Sequence, residues 1–502
     1  MKNKMKNIIK NIAILVLFSV SFTGCDEYLD VNVPADAVAL ADLDKKDIMG
    51  PVIFNSVYTQ YYAGRSFNNY TQYFGNNPST AAGITSNSTA WSNIYSKVLP
   101  NLNNVKDKAK AEGALHYFAV AQIIEALNMG FAVESWNDVP FSQANKPFEF
   151  PSPILDNGKQ VYETALNGLN AAIIALENPD PSGIAMGKED LIYNGDYNKW
   201  LKAAYTIKAR FQLHMIKNGG TSAQDVLASI EKGFEDNGDD MQLNYDPDQF
   251  NPYNVYGYTR RTTSNSFYGP GSQIIDMMNG VYYPFESGLV TVDPRIKKIY
   301  VKESGIDIPA PETDPWRGFV NGGTGQSSDG EPANAFYNKI GYHSSSSSPL
   351  FLISYAEAMF IKAEAIFLAN GGNTTSVGST ADAFAAYMEG ISANMSKIGV
   401  DGSEYMADTS VNVGDSGLML NHIMKEKYIA NIHNIETYND MRRYNFSPDV
   451  FKGLQLRLEE DSDGEYTGQW FRRAIYPSSE TDTNTNIDYD ESSSVKSIWL
   501  FE

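Results

Sequence analysis

The sequence predicts a mainly α-helical protein in which pairs of helices form a scaffold and a loop-rich region with a few short strands caps it. Two observations predict this fold class. Apolar residues recur every three or four positions over long stretches on both sides of the middle of the chain. Between them, residues 236–349 are rich in Asp, Asn, Tyr, Gly and Pro and sustain no such stripe beyond Gln273–Met278. We therefore predict one body over residues 41–502, with scaffold at 41–235 and 350–445 and a capping insertion at 236–349.

The clearest helical stripes lie in the first part of the scaffold. Apolar residues within Tyr162–Leu176 share one face, and Asn178 with the proline after it ends that helix. Asp196 is a suitable N-cap for the next helix, whose inward face runs over Trp200–Met215. Two successive helices with an early Trp and small residues at their contacts are similar in kind to a tetratricopeptide pair, without an exact repeat period. Helical stripes resume at Leu350 and continue to Tyr428.

Two aromatic-rich stretches interrupt the helical pattern. A first helix over Leu43–Tyr58 is followed by residues 59–95, which are rich in Asn, Ser, Thr and Gly yet carry eight aromatic residues. A second aromatic cluster lies in the cap, within residues 245–320. Irregular stretches of this length are usually functional or disordered, and the aromatic content argues against disorder.

The beginning of the chain is organised as an export signal. Lysines at positions 2, 4, 6 and 10 precede an apolar run, Ile12–Phe22, which is too short to cross a bilayer as a mature helix. Small residues then lead to Cys25, the only cysteine, which has no disulfide partner within the chain. This ending resembles a lipobox, where the peptide is cut before a cysteine that then carries acyl chains such as palmitate. We predict a signal peptide at 1–24 and a lipidated tether at 25–40; an ordinary secretory signal with an incidental cysteine is the alternative.

Acidic residues follow the predicted lipidation site immediately, at Asp26, Glu27 and Asp30. This arrangement resembles the surface-export signal of lipoproteins in the Bacteroidetes, and a solvated acidic tether is the alternative. The whole chain has a formal net charge of −21. Such a surface repels nucleic acid and anionic lipid headgroups, so neither is expected as a partner.

The patterns that suggest catalysis have simpler interpretations. The segment Gly414–Gly417 matches the nucleophile segment of chymotrypsin-like proteases, but it opens a predicted helix that continues to Tyr428, with Asp415 or Ser416 as the N-cap. Glu357 and Glu364 lie about 10 Å apart on one helix, which is wider than a glycosidase pair needs. We interpret these two residues as structural acids where helices meet, and predict no catalytic residues.

The sequence also gives no metal or cofactor site. Its five histidines lack paired metal-ligand spacing, and His214 and His422 lie within helical stretches, where structural roles are expected. Asp461–Glu465 has the beginning of a calcium loop but lacks the third ligand position and the distal Glu. A solvated acidic turn is the simpler interpretation.

Several stretches, in this order, resemble one family. They are Cys25–Asn32 (CDEYLDVN), Asp190–Trp200 (DLIYNGDYNKW), Lys208–Arg210 (KAR), Asp293–Arg295 (DPR), Tyr355–Ala365 (YAEAMFIKAEA), Lys425–Ala430 (KEKYIA) and Glu436–Arg443 (ETYNDMRR). Together they resemble the SusD/RagB-like nutrient-binding lipoproteins of Bacteroidetes outer membranes, over nearly the whole chain.

The resemblance implies a surface lipoprotein, anchored in the outer membrane and facing the cell exterior, that is not an enzyme. It implies capture of an oligosaccharide and delivery to a SusC-like TonB-dependent transporter. A RagB-like peptide receptor is the alternative within the family, and a secreted hydrolase is the alternative from another class. Binding residues vary between members, so the resemblance identifies none here.

We expect the two aromatic-rich stretches to meet on the capping side and to form the ligand surface, because insertions in helical solenoids tend to gather on one face. Sugar rings pack their C–H faces on aromatic rings, while planar polar groups bind the hydroxyls. The candidate stacking platforms are Tyr73, Trp91, Tyr256, Tyr258 and Trp316, and the candidate hydrogen-bond donor is Arg260.

Overall fold

The computed structural model describes residues 43–75, 83–245, 250–263, 267–458 and 466–502. It has the mainly helical fold that the sequence predicts, with short strands in small sheets. The predicted signal peptide, Cys25 and the tether lie outside the described residues, as does Asp461–Glu465. The division into scaffold and cap stays a prediction.

Ten helices of eight residues or more lie in the described part of the chain. They are α1 (Lys45–Tyr70), α2 (Leu99–Glu112), α3 (Leu115–Trp136), α4 (Gly158–Leu176), α5 (Tyr197–Met215), α6 (Ala223–Ile230), α7 (Tyr355–Ala369), α8 (Ala381–Ile398), α9 (Leu420–Ala430) and α10 (Glu436–Arg443). Shorter α-helical segments are Ser88–Asn93, Pro252–Asn254, Arg260–Thr263, Ser272–Met278, Ile296–Ile299, Ser403–Ala407, Gly414–Gly417 and Ser478–Thr481. Ile94–Val98 and Val255–Thr259 are π-helical, and Asn237–Asp239, Glu491–Val495 and Trp499–Phe501 are 3₁₀-helical.

Short antiparallel strands connect distant parts of the chain. The strands are β1 (Phe74–Gly75), β2 (Met241–Leu243), β3 (Gly269–Pro270), β4 (Tyr300–Gly305), β5 (Ile308–Pro309), β6 (Ala335–Tyr337) and β7 (Leu350–Ile353). β1 pairs with β3, β2 pairs with β7, and β4 lies between β5 and β6. The first of these pairs joins the end of α1 to the segment that the sequence assigned to the cap.

Successive helices pack against each other as pairs, most closely α3 with α4, α7 with α8, and α5 with α6. The predicted stripe on α4 is buried from Tyr162 to Leu176. The predicted N-cap of α5 is also confirmed, since the Asp196 carboxylate accepts hydrogen bonds from the backbone N–H groups of Asn198 (3.0 Å) and Lys199 (3.2 Å).

Two predicted boundaries are wrong. The first helix does not end at Tyr58 but continues to Tyr70, because Tyr58, Tyr61 and Tyr62 pack their rings along it at centroid distances of 5.4–5.9 Å. This packing outweighs the low helix propensity of the Tyr- and Asn-rich sequence. Gly414–Gly417 is a separate single turn followed by extended Leu418, and α9 starts only at Leu420, so neither Asp415 nor Ser416 caps it.

A network of buried charged side chains lies where α3, α5, α7, α9 and α10 meet. The Arg210 guanidinium binds both carboxylate oxygens of Glu357 (2.7 Å each), and Arg443 binds Glu364 (2.7 Å). The predicted structural role of these two glutamates is thus confirmed. Lys427 donates to Asp440 (2.9 Å). We call the full set the ionic network: Glu134, Arg210, His214, Glu357, Glu364, Lys427, Glu436, Asp440, Arg442 and Arg443, all buried.

His214 completes the charge balance of the ionic network. Its Nδ1 lies 3.0 Å from Glu134 and its Nε2 lies 2.8 Å from Glu436. Burial alone would lower the pKa of His214, but the charges of these two carboxylates outweigh burial and raise it to about 9. With His214 protonated, the network sets five basic side chains against five acidic ones, and such pairing offsets part of the cost of burying charge.

A second buried group joins the predicted cap to the scaffold. Arg295 donates to Asp293 (2.6 Å), to Glu426 on α9 (2.7 Å) and to the side-chain oxygen of Asn394 on α8 (2.9 Å). Arg295 and both carboxylates are fully buried.

The His214 environment predicts a stability loss in mild alkali. Between pH 6.5, the ordinary pKa, and pH 9 the folded chain holds a proton that the unfolded chain has released. The stabilisation is therefore complete below pH 6.5 and is lost as the pH rises through 9, by about 3 kcal/mol in all. Urea unfolding at pH 6, 7.5 and 9.5 measures it, with His214→Gln as the control. An equal pH dependence in the control and the native chain would contradict the assignment.

Candidate functional site

The structure brings the two aromatic-rich stretches together, as the sequence predicts. Phe74 of β1 pairs with Pro270 of β3. Beside this pair the Arg65 Nε atom donates to the Tyr268 hydroxyl at 3.0 Å. The end of α1 and the segment around Tyr268 therefore form one continuous surface, although about 200 residues separate them in sequence.

A stack of aromatic rings supports this surface. The buried Phe74 ring lies parallel to Tyr268 (centroids 4.3 Å apart, planes 6° apart), and Tyr268 stacks on Tyr256 (5.3 Å, 21°). Two guanidinium groups also lie over the Tyr256 ring, that of Arg65 at 4.5 Å and that of Arg260 at 4.1 Å from its centroid. The Tyr256 ring thus orients two arginine side chains by cation–π contact.

A polar groove opens beside the stack. One wall comes from α1 and the stack, and the other from the polar segment that leads into the helix Ser88–Asn93. The volume of the groove is about 230 Å³. We call it the arginine groove, and its lining residues are Tyr62, Arg65, Ser66, Thr85, Ser86, Asn87, Ser88, Thr89 and Tyr268.

Asn87 is the most buried of the polar residues that line the groove, with 6% of its surface exposed. Its backbone has φ = 47°, in the left-handed region that Asn tolerates better than most residues. The side-chain oxygen accepts from the Thr85 hydroxyl (3.3 Å), while the side-chain nitrogen has no hydrogen-bond partner in the described part of the chain. Arginine, amide, hydroxyl and phenol groups therefore converge on one groove.

Three of the predicted platform residues lie in the core instead of on a surface. Tyr73 is fully buried, stacks on Tyr428 (4.4 Å) and donates its hydroxyl hydrogen to the Tyr428 carbonyl (2.5 Å). Trp91 is buried against Trp136 and donates to Glu480 (3.0 Å). Trp316 is 9% exposed. Their burial leaves no open ring face on Tyr73 or Trp91 for a sugar to stack on.

Two of the other predicted residues, Tyr256 and Arg260, lie beside the arginine groove, and Tyr258 lies in the same π-helical segment as Tyr256, Val255–Thr259. Tyr256, Tyr258 and Arg260 are half-buried, and the first and last of them contact each other. The prediction missed Arg65 and Asn87. The signal for Arg65 is its spacing of three residues from Tyr62, which places both on one face of α1 once the helix is known to continue beyond Tyr58.

Two further cavities flank this region. One of about 460 Å³ lies beside β4 and β6 and is lined by Arg261, Phe267 and Phe336, among others. Another of about 330 Å³ lies between Tyr95 and the proline-rich segment 140–153, and its lining includes the predicted residue Trp91, which is 1% exposed. Among the described residues, no group of three or more His, Cys, Asp or Glu side chains is placed to hold a metal ion. No helix in the described ranges is long and apolar enough to cross a membrane.

Comparison with known proteins identifies the family. A family model described as "Starch-binding associating with outer membrane" matches residues 39–477. The chain belongs to the SusD-like family. This confirms the resemblance that the ordered sequence stretches indicated, and it agrees with the helical architecture of the structure.

Solved structures of SusD-like proteins share this fold. A SusD/RagB family protein from Bacteroides thetaiotaomicron is 20% identical, with a TM-score of 0.68 over 91% of this chain and 99% of that one. A SusD homolog from Bacteroides uniformis is 19% identical (TM-score 0.69; 93% and 100% covered). A chitin-binding SusD homolog from Flavobacterium johnsoniae is 18% identical (TM-score 0.69; 91% and 98% covered). No curated protein matches the chain.

Burial predicts that Tyr73→Ala and Trp91→Ala act on stability. Each substitution leaves a cavity in the core and should lower the free energy of unfolding by about 3–5 kcal/mol. Urea unfolding measures the loss, and Tyr489→Ala, at a tyrosine that is 57% exposed, is the control. Unchanged stability of both core variants would show that these rings are not packed as described.

Proposed function

We propose that this SusD-like protein is a surface lipoprotein that binds an oligosaccharide in the arginine groove and delivers it to a SusC-like TonB-dependent transporter. The observation that carries the proposal is the groove itself. It lies where two aromatic-rich stretches meet, and it combines phenol rings with a dense set of hydrogen-bonding side chains.

The composition of the groove fits a carbohydrate. Tyr62 and Tyr268 line it and are half-buried, so each presents part of a ring or a phenol oxygen to the cavity. The hydroxyls of Ser66, Thr85 and Ser88 add groups that both donate and accept. An oligosaccharide has hydroxyls of the same dual character and apolar C–H faces, so it can satisfy both kinds of wall. Tyr256 and Arg260 extend this surface beyond the groove.

The family supports the same ligand class. The matching family model is described as starch-binding, and one of the similar structures is a chitin-binding protein. The outer-membrane association in that description supports the proposed anchor at Cys25 and the proposed transporter partner. The RagB-like peptide receptor remains the alternative for the ligand.

The positions of Glu357 and Glu364 fit a binding protein better than a glycoside hydrolase. Glu357 and Glu364, the pair that most resembles a glycosidase site in sequence, are both fully buried. Each binds an arginine in the ionic network, so neither reaches a substrate. Their role is structural.

The proposal predicts that groove variants lose more affinity than their change in stability explains. Tyr62→Ala and Tyr268→Phe remove a ring and a phenol oxygen from the lining, and the ring variant should lose about 1–3 kcal/mol of binding free energy. Calorimetric titration against a panel of oligosaccharides and peptides measures this, with the melting temperature recorded for each variant. Tyr489→Ala is the matched control outside the groove. Full affinity in Tyr62→Ala would place the ligand elsewhere, and a panel in which only peptides bind would favour the alternative ligand.

The proposed anchor predicts a separate result. Cys25→Ala removes the acylated side chain, so the protein should leave the membrane fraction and remain folded, because multiple acyl chains are what holds a lipoprotein firmly. Fractionation and circular dichroism test this in cells that lack the transporter, so that protein–protein contact cannot retain the variant. Retention of Cys25→Ala in the membrane would contradict lipidation at this residue.

A further inference from the structure

The arginine groove is cationic on a strongly acidic protein. The chain carries a formal net charge of −21, yet none of the nine residues that line the groove is Asp or Glu. Arg65 lines it directly, and Arg260 lies over the Tyr256 ring beside it. The lining residues therefore carry a positive charge, opposite in sign to the net charge of the chain.

Arg65 is paired differently from the arginines of the core. Arg210, Arg295 and Arg443 each bind at least one carboxylate. No carboxylate in the described ranges forms a salt bridge with Arg65, whose Nε atom donates to the neutral Tyr268 hydroxyl. A guanidinium has five N–H donors in a planar fork, and that geometry matches a carboxylate or a sulfate.

Asn87 supplies a second, independent observation. Asn87 lines the same groove, and its side-chain nitrogen is buried and has no partner among the described residues. A buried donor without an acceptor costs free energy, and native proteins leave few such groups unexplained. An acceptor oxygen on a bound ligand would remove this cost.

We propose that the arginine groove selects an anionic oligosaccharide, with Arg65 binding a carboxylate or sulfate group of the sugar and Asn87 donating to an adjacent oxygen. This inference rests on the proposed carbohydrate-binding function and narrows its ligand class. The Tyr256 ring, stacked on Tyr268, holds both arginines in place, so the charged group meets a fork that is already oriented. Charge-assisted hydrogen bonds of this kind are stronger than those between neutral groups.

The experiment titrates the full-length mature protein with matched acidic and neutral sugars. Oligogalacturonate hexamer offers carboxylates, its methyl-esterified form offers the same backbone without charge, κ-carrageenan hexaose offers sulfates, and maltohexaose is neutral. We expect at least one acidic sugar to bind about 10-fold or more tightly than the neutral sugars, with affinity falling as salt is raised. The two acidic probes distinguish carboxylate from sulfate recognition.

Variants assign the effect to the groove. Arg65→Met should lose about 10-fold or more in affinity for the acidic sugar, and Arg65→Lys should recover part of it because the charge remains without the fork. Asn87→Asp replaces the donor by an anion and should also weaken binding. The control is Arg472→Met, which removes a charge from the C-terminal segment, where Arg472 binds Asn445. Melting temperatures and the affinity for any neutral sugar that binds separate lost recognition from lost folding.

Each outcome decides between the two proposals. Binding of neutral sugars as tightly as acidic ones, or an Arg65→Met variant that keeps its preference for the acidic sugar, would overturn the anionic ligand and leave carbohydrate binding intact. No binding of any sugar in the panel, together with binding of hexaglutamate peptide, would overturn both. Tighter binding of an acidic sugar that Arg65→Met abolishes while Arg472→Met does not would establish the inference.

Discussion

The fold depends on the ionic network, because ten buried charged side chains must all have an ion-pair or hydrogen-bond partner. Moving an ion out of water costs several kcal/mol, which a partner and further hydrogen bonds offset only in good geometry. Removal of Arg210 would leave Glu357 buried without its bidentate partner. The relative positions of the five helices are thus fixed more tightly than apolar packing alone would fix them.

The ionic network also positions the candidate site. Tyr73 donates to the backbone of α9 and lies 2.7 Å from the Thr437 hydroxyl on α10, so both contacts are to helices that carry network residues. Tyr73 precedes β1, where the Phe74 ring starts the stack that ends at Tyr256. The ionic network therefore positions Tyr73, and Tyr73 positions β1. The ring stack that starts at β1 then orients Arg65 and Arg260.

The fold class could be predicted because amphipathic spacing is visible within single helices such as α4. The Asp196 cap could be predicted because capping depends only on neighbouring residues. The sequence also predicted that two distant aromatic stretches meet. The stretches that indicated the family, such as Tyr355–Ala365 and Glu436–Arg443, contribute most of the ionic network. Their pairing was invisible in sequence, since Arg210 and Glu357 are 147 positions apart.

The site residues were harder to predict, for two physical reasons. Burial of an aromatic ring depends on tertiary neighbours, so Tyr73 and Tyr256 look alike in sequence although one is in the core and the other near the surface. The helix α1 continues past Tyr58 with its own rings packed along it and with a ring from a distant segment, Tyr253, packed on Tyr61 at 5.0 Å. If the helix ended at Tyr58, Arg65 could not be assigned to the same helix face as Tyr62. The missing partner of the Asn87 side-chain nitrogen can be recognised only in the folded chain.

The wall of the arginine groove formed by Thr85–Thr89 is a short polar segment, and Ser88 and Thr89 within it are exposed. The side chains that fix the helices lie elsewhere, in the ionic network. Substitutions at these two exposed positions therefore carry little stability cost, whereas substitutions at Glu357 or Arg210 carry a large one. Such a separation lets the side chains of this wall change during evolution while the framework is retained. This separation is expected to give proteins that keep the same fold while their sequences diverge, as in the similar structures that are only 18–20% identical to this chain.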